Sequence, residues 1–205
     1  QGIENAIISA VAGDEAAWAA DLRGVLAGAV LVLDAQTPLP IANKYATPQT
    51  LGKDRLAVAV GAAAQFPHRA VLAIDMGTCV KYDFVDAQGA YWGGAISAGL
   101  RMRYKALNAF TERLPLLESV DWSAEMLPLV GADTRGSMQS GVEWGLLCEV
   151  AGMVERYRAE RGGAEMAVIS TGGDAALLDI LRDNRIFAEP HLLMRGLLQI
   201  LLHNV

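Results

Sequence analysis

The sequence predicts a mixed α/β protein, and three observations carry that expectation. Runs of Val, Ile, Leu and Ala of strand length alternate with longer stretches whose apolar residues fall at helical spacing. Glycine-bearing turns recur where the strands end, at Asp75-Met-Gly-Thr78, Gly93-Gly94 and Thr171-Gly-Gly-Asp174. The 205 residues are 53% hydrophobic and 20% charged, enough apolar surface for a buried core and unlike a disordered chain.

Taken in order, Ala6 to Val11 reads as a short buried strand, Glu15 to Leu26 as an amphipathic helix and Ala29 to Leu33 as a second strand. Three prolines between Thr37 and Pro48 exclude a helix or a central strand there and leave an ordered loop or an edge. Asp54 to Gln65, rich in Ala and Val, predicts a tightly packed helix. Val71 to Ile74 is a buried strand that ends in an acid, a glycine and a threonine. After that turn Val80, Tyr82, Phe84 and Asp86 fall on one face of a new strand, with Lys81 and Asp83 on the other. Gln88-Gly89 turns into a third strand, Ala90 to Trp92, which Gly93-Gly94 is expected to break. A helix from Leu100 to Phe110, a loop from Pro115 to Asp133 and a long helix from Ser137 to Arg161 follow. Met166 to Ser170 is a strand, Thr171-Gly-Gly-Asp174 opens another helix, and Pro190 precedes a last one, Leu192 to His203.

From Val71 onward the order strand, strand, strand, helix, helix, strand, helix, helix resembles one lobe of an actin-like (ribonuclease H-like) fold. The preceding strand, helix, strand, helix looks like the latter half of another such lobe without its N-terminal hairpin. The expected domains are therefore 1–67, the remainder of an N-terminal lobe, and 68–205, a C-terminal lobe.

Charge and cysteine content exclude several functions. The net charge of −6, with 17 scattered Lys and Arg, argues against a nucleic-acid surface, which needs clustered basic side chains. Cys79 and Cys148 have no second Cys or His at metal-ligand spacing, which suits a reducing compartment, so the cytoplasm is expected. No apolar run reaches the length of a membrane span, and no membrane partner is expected. Gln1 and Gly2-Ile-Glu-Asn5 form no signal peptide, and the chain is expected to begin partway through a longer protein.

Three motifs are candidates for chemistry. In Asp75-Met-Gly-Thr78, Gly77 lets backbone approach a phosphate, Thr78 and free amides can hydrogen-bond its oxygens, and the carboxylate can hold a bridging cation; an ordinary hairpin uses the same residues. In Gly52-Lys-Asp-Arg55, Asp54 reads either as a base held ionised by Arg55 and able to take a hydroxyl proton, or as a simple helix cap. In Thr171-Gly-Gly-Asp174, Gly172 and Gly173 admit a flat ligand or a phosphate to a helix N-terminus, or make a plain tight turn. All three recur at strand ends of an alternating α/β chain, where open sheets put ligands. The basic side chains of Arg101-Met-Arg-Tyr-Lys105 read as a solvated helix face or, for an Arg, as a contact near a phosphate site.

The residues together resemble a known family. Tyr45-Ala-Thr-Pro-Gln-Thr-Leu-Gly-Lys-Asp-Arg55, Ile74-Asp-Met-Gly-Thr78, Gly93-Gly-Ala-Ile-Ser-Ala-Gly-Leu100, Ala106 to Pro115, Gly131-Ala-Asp-Thr134 and Thr171-Gly-Gly-Asp-Ala175 are similar in order and spacing to type III pantothenate kinase. The resemblance implies a two-lobed, homodimeric phosphotransferase that moves the γ-phosphate of ATP, carried with magnesium, to pantothenate in the first step of coenzyme A synthesis. It implies that Asp54 is the base and that Tyr45, Gly52, Lys53, Asp54 and Arg55 meet pantothenate. It implies that Asp75 is a ligand of a monovalent cation, potassium or ammonium, that Gly77, Thr78, Gly172 and Gly173 lie on the ATP side, and that Thr134 reaches pantothenate across the dimer. An alternative is a non-catalytic homologue acting as a binding or regulatory protein.

This sequence departs from the family pattern at three points. The Asp-x-Gly-Asn-Thr loop that opens family members is not found in it, Lys81 stands where Thr is usual, and Ala98 stands where Ser-Pro-Gly is usual. Lys81 either adds a cation near the phosphates or points to solvent from its strand.

Overall fold

A computed structural model describes residues 2–10, 13–117, 128–180 and 185–205. In chain order the described elements are β1 (Ala6–Ile8), α1 (Glu15–Arg23), β2 (Val30–Val32), β3 (Ala42–Asn43), α2 (Lys53–Gln65), β4 (Val71–Met76), β5 (Cys79–Val85) and β6 (Ala90–Ala98). They continue with α3 (Leu100–Ala109), α4 (Thr134–Gln139), α5 (Gly145–Tyr157), β7 (Ala167–Thr171), β8 (Ile186–Ala188) and α6 (Leu192–Asn204). Val11, expected to end the first strand, and 118–127 of the expected loop lie outside the described residues.

Six strands form one sheet in the order β3-β6-β5-β4-β7-β8, and β1 and β2 pair in parallel as a separate two-stranded sheet. β4, β5 and β6 are an antiparallel meander, while β7 lies parallel to β4 on its other side and β8 parallel to β7. The mixed α/β class expected from the sequence is borne out, with the three successive strands from Val71 forming the meander.

The period-2 reading of the second hairpin strand is borne out. Val80, Tyr82 and Phe84 share a buried cluster with Leu72, Ile74 and Met76 of β4, packed against α3 and α5. Val71, Ala73 and Val85 face the opposite way, onto α2 and the first turn of α6. The sheet is thus a layer between two helix layers, and residues 81, 83 and 85 of β5 look toward α2.

The expected break at Gly93-Gly94 does not occur, since β6 runs through both residues to Ala98. Phe84 pairs with Gly93 and Val85 with Tyr91, so Trp92 is an extra residue in a β-bulge. Gly93 takes a φ of +85° there, and a Cβ on Gly94 would lie 1.7 Å from the Tyr82 carbonyl oxygen. The two glycines shape the strand rather than end it.

Boundaries elsewhere shift for local reasons. The long helix starts at Thr134 instead of Ser137 because the Asp133 carboxylate accepts the Gly136 N–H at 2.7 Å, capping the first turn. It continues through two wide π-helical turns, Ser140–Trp144 and Arg158–Gly162. The helix expected after Thr171-Gly-Gly-Asp174 is a 3₁₀ helix over Ala175–Ile180. β3 is an edge strand, one of the two forms expected of the proline-rich segment, whereas β8 is too short to show a period in the sequence.

Two packing features yield predictions. α2 and α6 cross at a glycine contact, where a Cβ on Gly196 would sit 1.7 Å from the Ala57 carbonyl oxygen. Gly196→Ala is expected to lower unfolding free energy by about 1–3 kcal/mol, the usual range for overpacking, read as a lower urea midpoint. The second feature is Glu143, in the first π turn and fully buried, which accepts the Tyr104 hydroxyl at 2.5 Å. Its other oxygen has no partner among the described residues. Burial pushes this carboxyl up against the lowering pull of Tyr104. A raised folded-state pKa means the native state binds the extra proton above about pH 4.5, so this contribution is present below that pH and is lost as pH rises through the folded value. Glu143→Gln is expected to raise the thermal midpoint at neutral pH, with the two proteins converging in acid.

Candidate active site

The C-terminal end of β4 is where the candidate residues gather. Asp75 sits there between two neighbours, opposite Lys81 in the antiparallel register with β5 and opposite Thr171 in the parallel register with β7. The first turn of α2 brings Asp54 to the same place. The Lys81 ammonium donates to Asp75 Oδ2 at 2.8 Å and to Asp54 Oδ2 at 2.9 Å. Lys81 therefore does not point away to solvent, as one of its two expected placements had it.

Asp54 owes its position to its neighbours. Gly52 starts the helix, and a Cβ there would meet Asp54 Oδ1 at 2.5 Å, so only glycine leaves the carboxylate room to fold back over the helix start. Burial pushes the Asp54 carboxyl up, but the Lys81 hydrogen bond and charge outweigh it, together with the backbone N–H groups of Arg55 and Asp54, and hold it below the usual carboxylate range. It is ionised at neutral pH.

Arg55 does not pair with Asp54. Its guanidinium turns inward, donating through Nε and Nη2 to Asp83 Oδ1 at 3.0 and 2.7 Å, while the Tyr91 hydroxyl donates to the same oxygen at 2.7 Å. The Tyr45 ring covers this pair, 5.7 Å from the guanidinium carbon and stacked on Tyr91 at 6.2 Å. The expectation that Arg55 holds Asp54 ionised is thus corrected: Lys81 does, and Arg55 anchors the helix start from beneath. Lys53 is also engaged elsewhere, its ammonium 2.7 Å from both carboxylate oxygens of Glu15 on α1.

On the other side of β4 the two glycine loops meet. Gly172 has a φ of +96°, and a Cβ on it would strike Met76 backbone at 2.3 Å, so the loop closes directly on the end of β4, with the Asp174 N–H donating to Met76 O at 3.0 Å. Gly77, Thr78, Gly173, Asp174, Arg101 and Lys105 line a cavity of about 370 Å³. Of the two sequence readings of this helix, a solvated face or an Arg near a phosphate site, the placement of Arg101 beside Gly77 and Thr78 favours the second, and Lys105 joins it. Their signal was the spacing of four on a helix that starts right after Gly99, whose N–H bonds the Thr78 carbonyl at 3.1 Å. Backbone amides, a hydroxyl and two cations around a small cavity are suited to a polyphosphate.

Thr134 is not brought to this cluster. It is an exposed first residue of α4 and lines a separate cleft of about 1000 Å³ with Leu107, Phe110, Leu114, Met138 and Val142.

The family model of type III pantothenate kinase matches residues 1–156. A type III pantothenate kinase of Bacteroides fragilis is 44% identical over 175 residues, covering 85% of this chain and 70% of that protein, and one from Phocaeicola vulgatus gives the same figures. The chain belongs to the type III pantothenate kinase family. A crystal structure of a Baf family protein from Campylobacter jejuni, described as a transcriptional activator, matches all of this chain and 85% of its own with a TM-score of 0.64 at 17% identity, a likeness of fold. Within this family member, Asp54 and Asp75 meet on Lys81 at the end of β4, Gly52 lies against Asp54 and Tyr45 over Arg55, and the Gly77-Thr78 and Gly172-Gly173 loops adjoin the same strand end. No helix among the described residues is long and apolar enough to cross a membrane.

Proposed function

We propose that this protein phosphorylates pantothenate with ATP, giving 4'-phosphopantothenate and ADP, the first step of coenzyme A biosynthesis, in the cytoplasm. The observation that carries this reading is the meeting of Asp54 and Asp75 on one ammonium, which makes an acceptor-side motif and a phosphate-side turn adjoin at the end of one strand.

MgATP enters as substrate with its phosphates on the Gly77-Thr78 and Gly172-Gly173 loops, held by Arg101 and Lys105. Pantothenate lies over Tyr45 and the start of α2, with its primary hydroxyl at Asp54. The hydroxyl oxygen forms a bond to the γ-phosphorus, the bond from phosphorus to the β,γ-bridging oxygen breaks, ADP leaves, and the hydroxyl proton passes to the Asp54 carboxylate. The transition state is loose, so positioning and charge neutralisation dominate and a weakly basic carboxylate suffices as the proton's destination. Asp75 is engaged by Lys81, so the residues present do not fit a separate monovalent ion on that carboxylate.

The two-stranded sheet of β1 and β2, apart from the six-stranded one, supports a division into two lobes, 1–67 and 68–205, with β3 (Ala42–Asn43) crossing over to pair with β6 of the second. The separation of Thr134 from Asp54 supports a homodimer in which Thr134 serves the partner's site, with the apolar cleft around Phe110, which is 88% exposed, lying at the interface.

A coupled ADP-release assay with phosphorus NMR of the product tests the reading. The expected result is pantothenate-dependent ADP release and a new phosphomonoester signal. Pantothenate binding with no ADP release would instead favour a non-catalytic binding protein.

A further inference from the structure

We infer that Lys81 is a built-in cation, supplying from the protein itself the positive charge that a free monovalent ion would otherwise bring to Asp75. This inference rests on the reading of the β4 end as the phosphate-transfer site. It begins with strand register. Asp83 and Val85 point to the α2 side and are buried, and toward the open end of the sheet the same row continues through Lys81, 20% exposed, to Cys79 at the strand start. The cross-strand partner of Lys81 is Asp75 itself, so the backbone holds the ammonium beside that carboxylate.

The ammonium is bound but not enclosed. Lys81 is 20% exposed and Asp75 16%, and each gives one contact to the other at ion-pair distance. An ammonium has three donors, and the two carboxylates take two of them. The third is left for an oxygen arriving at the sheet end, beside Gly77 and Thr78, and a transferred phosphoryl group is the ligand whose charge suits it. A free potassium or ammonium ion on Asp75 would have to share the carboxylate with this donor and sit within ion-pair distance of a like charge. Lys81 is in effect an ammonium ion tethered by four methylenes, and its position at Asp54 also links the acceptor side to the phosphate side.

The test compares turnover in potassium, ammonium and a potassium-free Tris buffer, and measures binding of thallium(I), a stand-in for potassium, by equilibrium dialysis with MgATP present. The wild-type protein is expected to turn over equally in all three buffers and to bind no thallium that potassium displaces. Lys81→Thr is expected to lose about 10²–10³-fold in kcat without potassium, the loss typical of removing one transition-state donor, and to regain part of it when potassium or ammonium is added. The same variant is expected to gain a displaceable thallium site that Asp75→Asn removes. Potassium activation of the wild type, or a thallium site in it that Asp75→Asn abolishes, would overturn the inference. If Lys81→Thr does not fold, the wild-type arms still decide. If no buffer supports ADP release, the kinase reading fails, and the thallium measurement judges Lys81 separately.

Discussion

Asp54→Asn lowers kcat by about 10²–10⁴-fold, the range for loss of a positioned proton acceptor, while the urea midpoint and the ATP dissociation constant stay at wild-type values. The expectation follows from what the amide keeps and what it loses. Asn retains the shape that fits over Gly52 and an oxygen that can accept from Lys81, so α2 and the sheet keep their contacts. It cannot take the hydroxyl proton. On the proposed reading ATP lies in the cavity of Gly77, Thr78, Gly173, Arg101 and Lys105, whose lining does not include residue 54. Steady-state kinetics with calorimetric ATP titration check it. A variant turning over at the wild-type rate would remove Asp54 from the chemistry.

Asp83→Ala behaves in the opposite sense, costing about 3–5 kcal/mol of stability, the range for removing one partner of a buried ion pair. Asp83 is 1% exposed and Arg55 6%, and Asp83 Oδ1 collects the Arg55 Nε, the Arg55 Nη2 and the Tyr91 hydroxyl. Burial pushes the Asp83 carboxyl up, opposed by the hydrogen bonds from Arg55 and Tyr91. Without it a guanidinium remains under Tyr45 with no countercharge, in a site closed to water. Replacing Arg55 by Met and Asp83 by Leu together should recover most of the loss, because the pair contributes less as a pair than either charge costs alone. Urea denaturation of the single and double variants measures this, and a single variant with a wild-type midpoint would refute it.

Much of this was legible in the chain. β4 and β5 announced themselves by burial and by period, and the acid-glycine-threonine turn by its position at a strand end. Asp54, Asp75, Gly77, Thr78, Gly172 and Gly173 were all picked out, and they gather around one strand terminus. Partner choice was not legible. The adjacency of Asp54 and Arg55 in sequence suggested a pair, yet a helix turns successive side chains by about 100°, so one faces out to Lys81 and the other in to Asp83. Lys81 could be assigned to a face but not to a partner, since cross-strand register depends on the turn. Gly93-Gly94 misled because the same two residues that end a strand in open chain can carry a bulge when a neighbouring strand holds them.

The glycine crossing of α2 and α6 has a consequence for how the protein comes into being. The helix that carries Asp54 is flanked by α6, with Leu192 in its apolar cluster and Ile200 against Ala57 and Val60. During synthesis, residues 53–65 leave the ribosome long before 192–205 exist. Residue 54 therefore waits on a half-covered helix until residues 192–205 have emerged and packed, so the geometry at the end of β4 is set by a contact between segments far apart in sequence rather than locally.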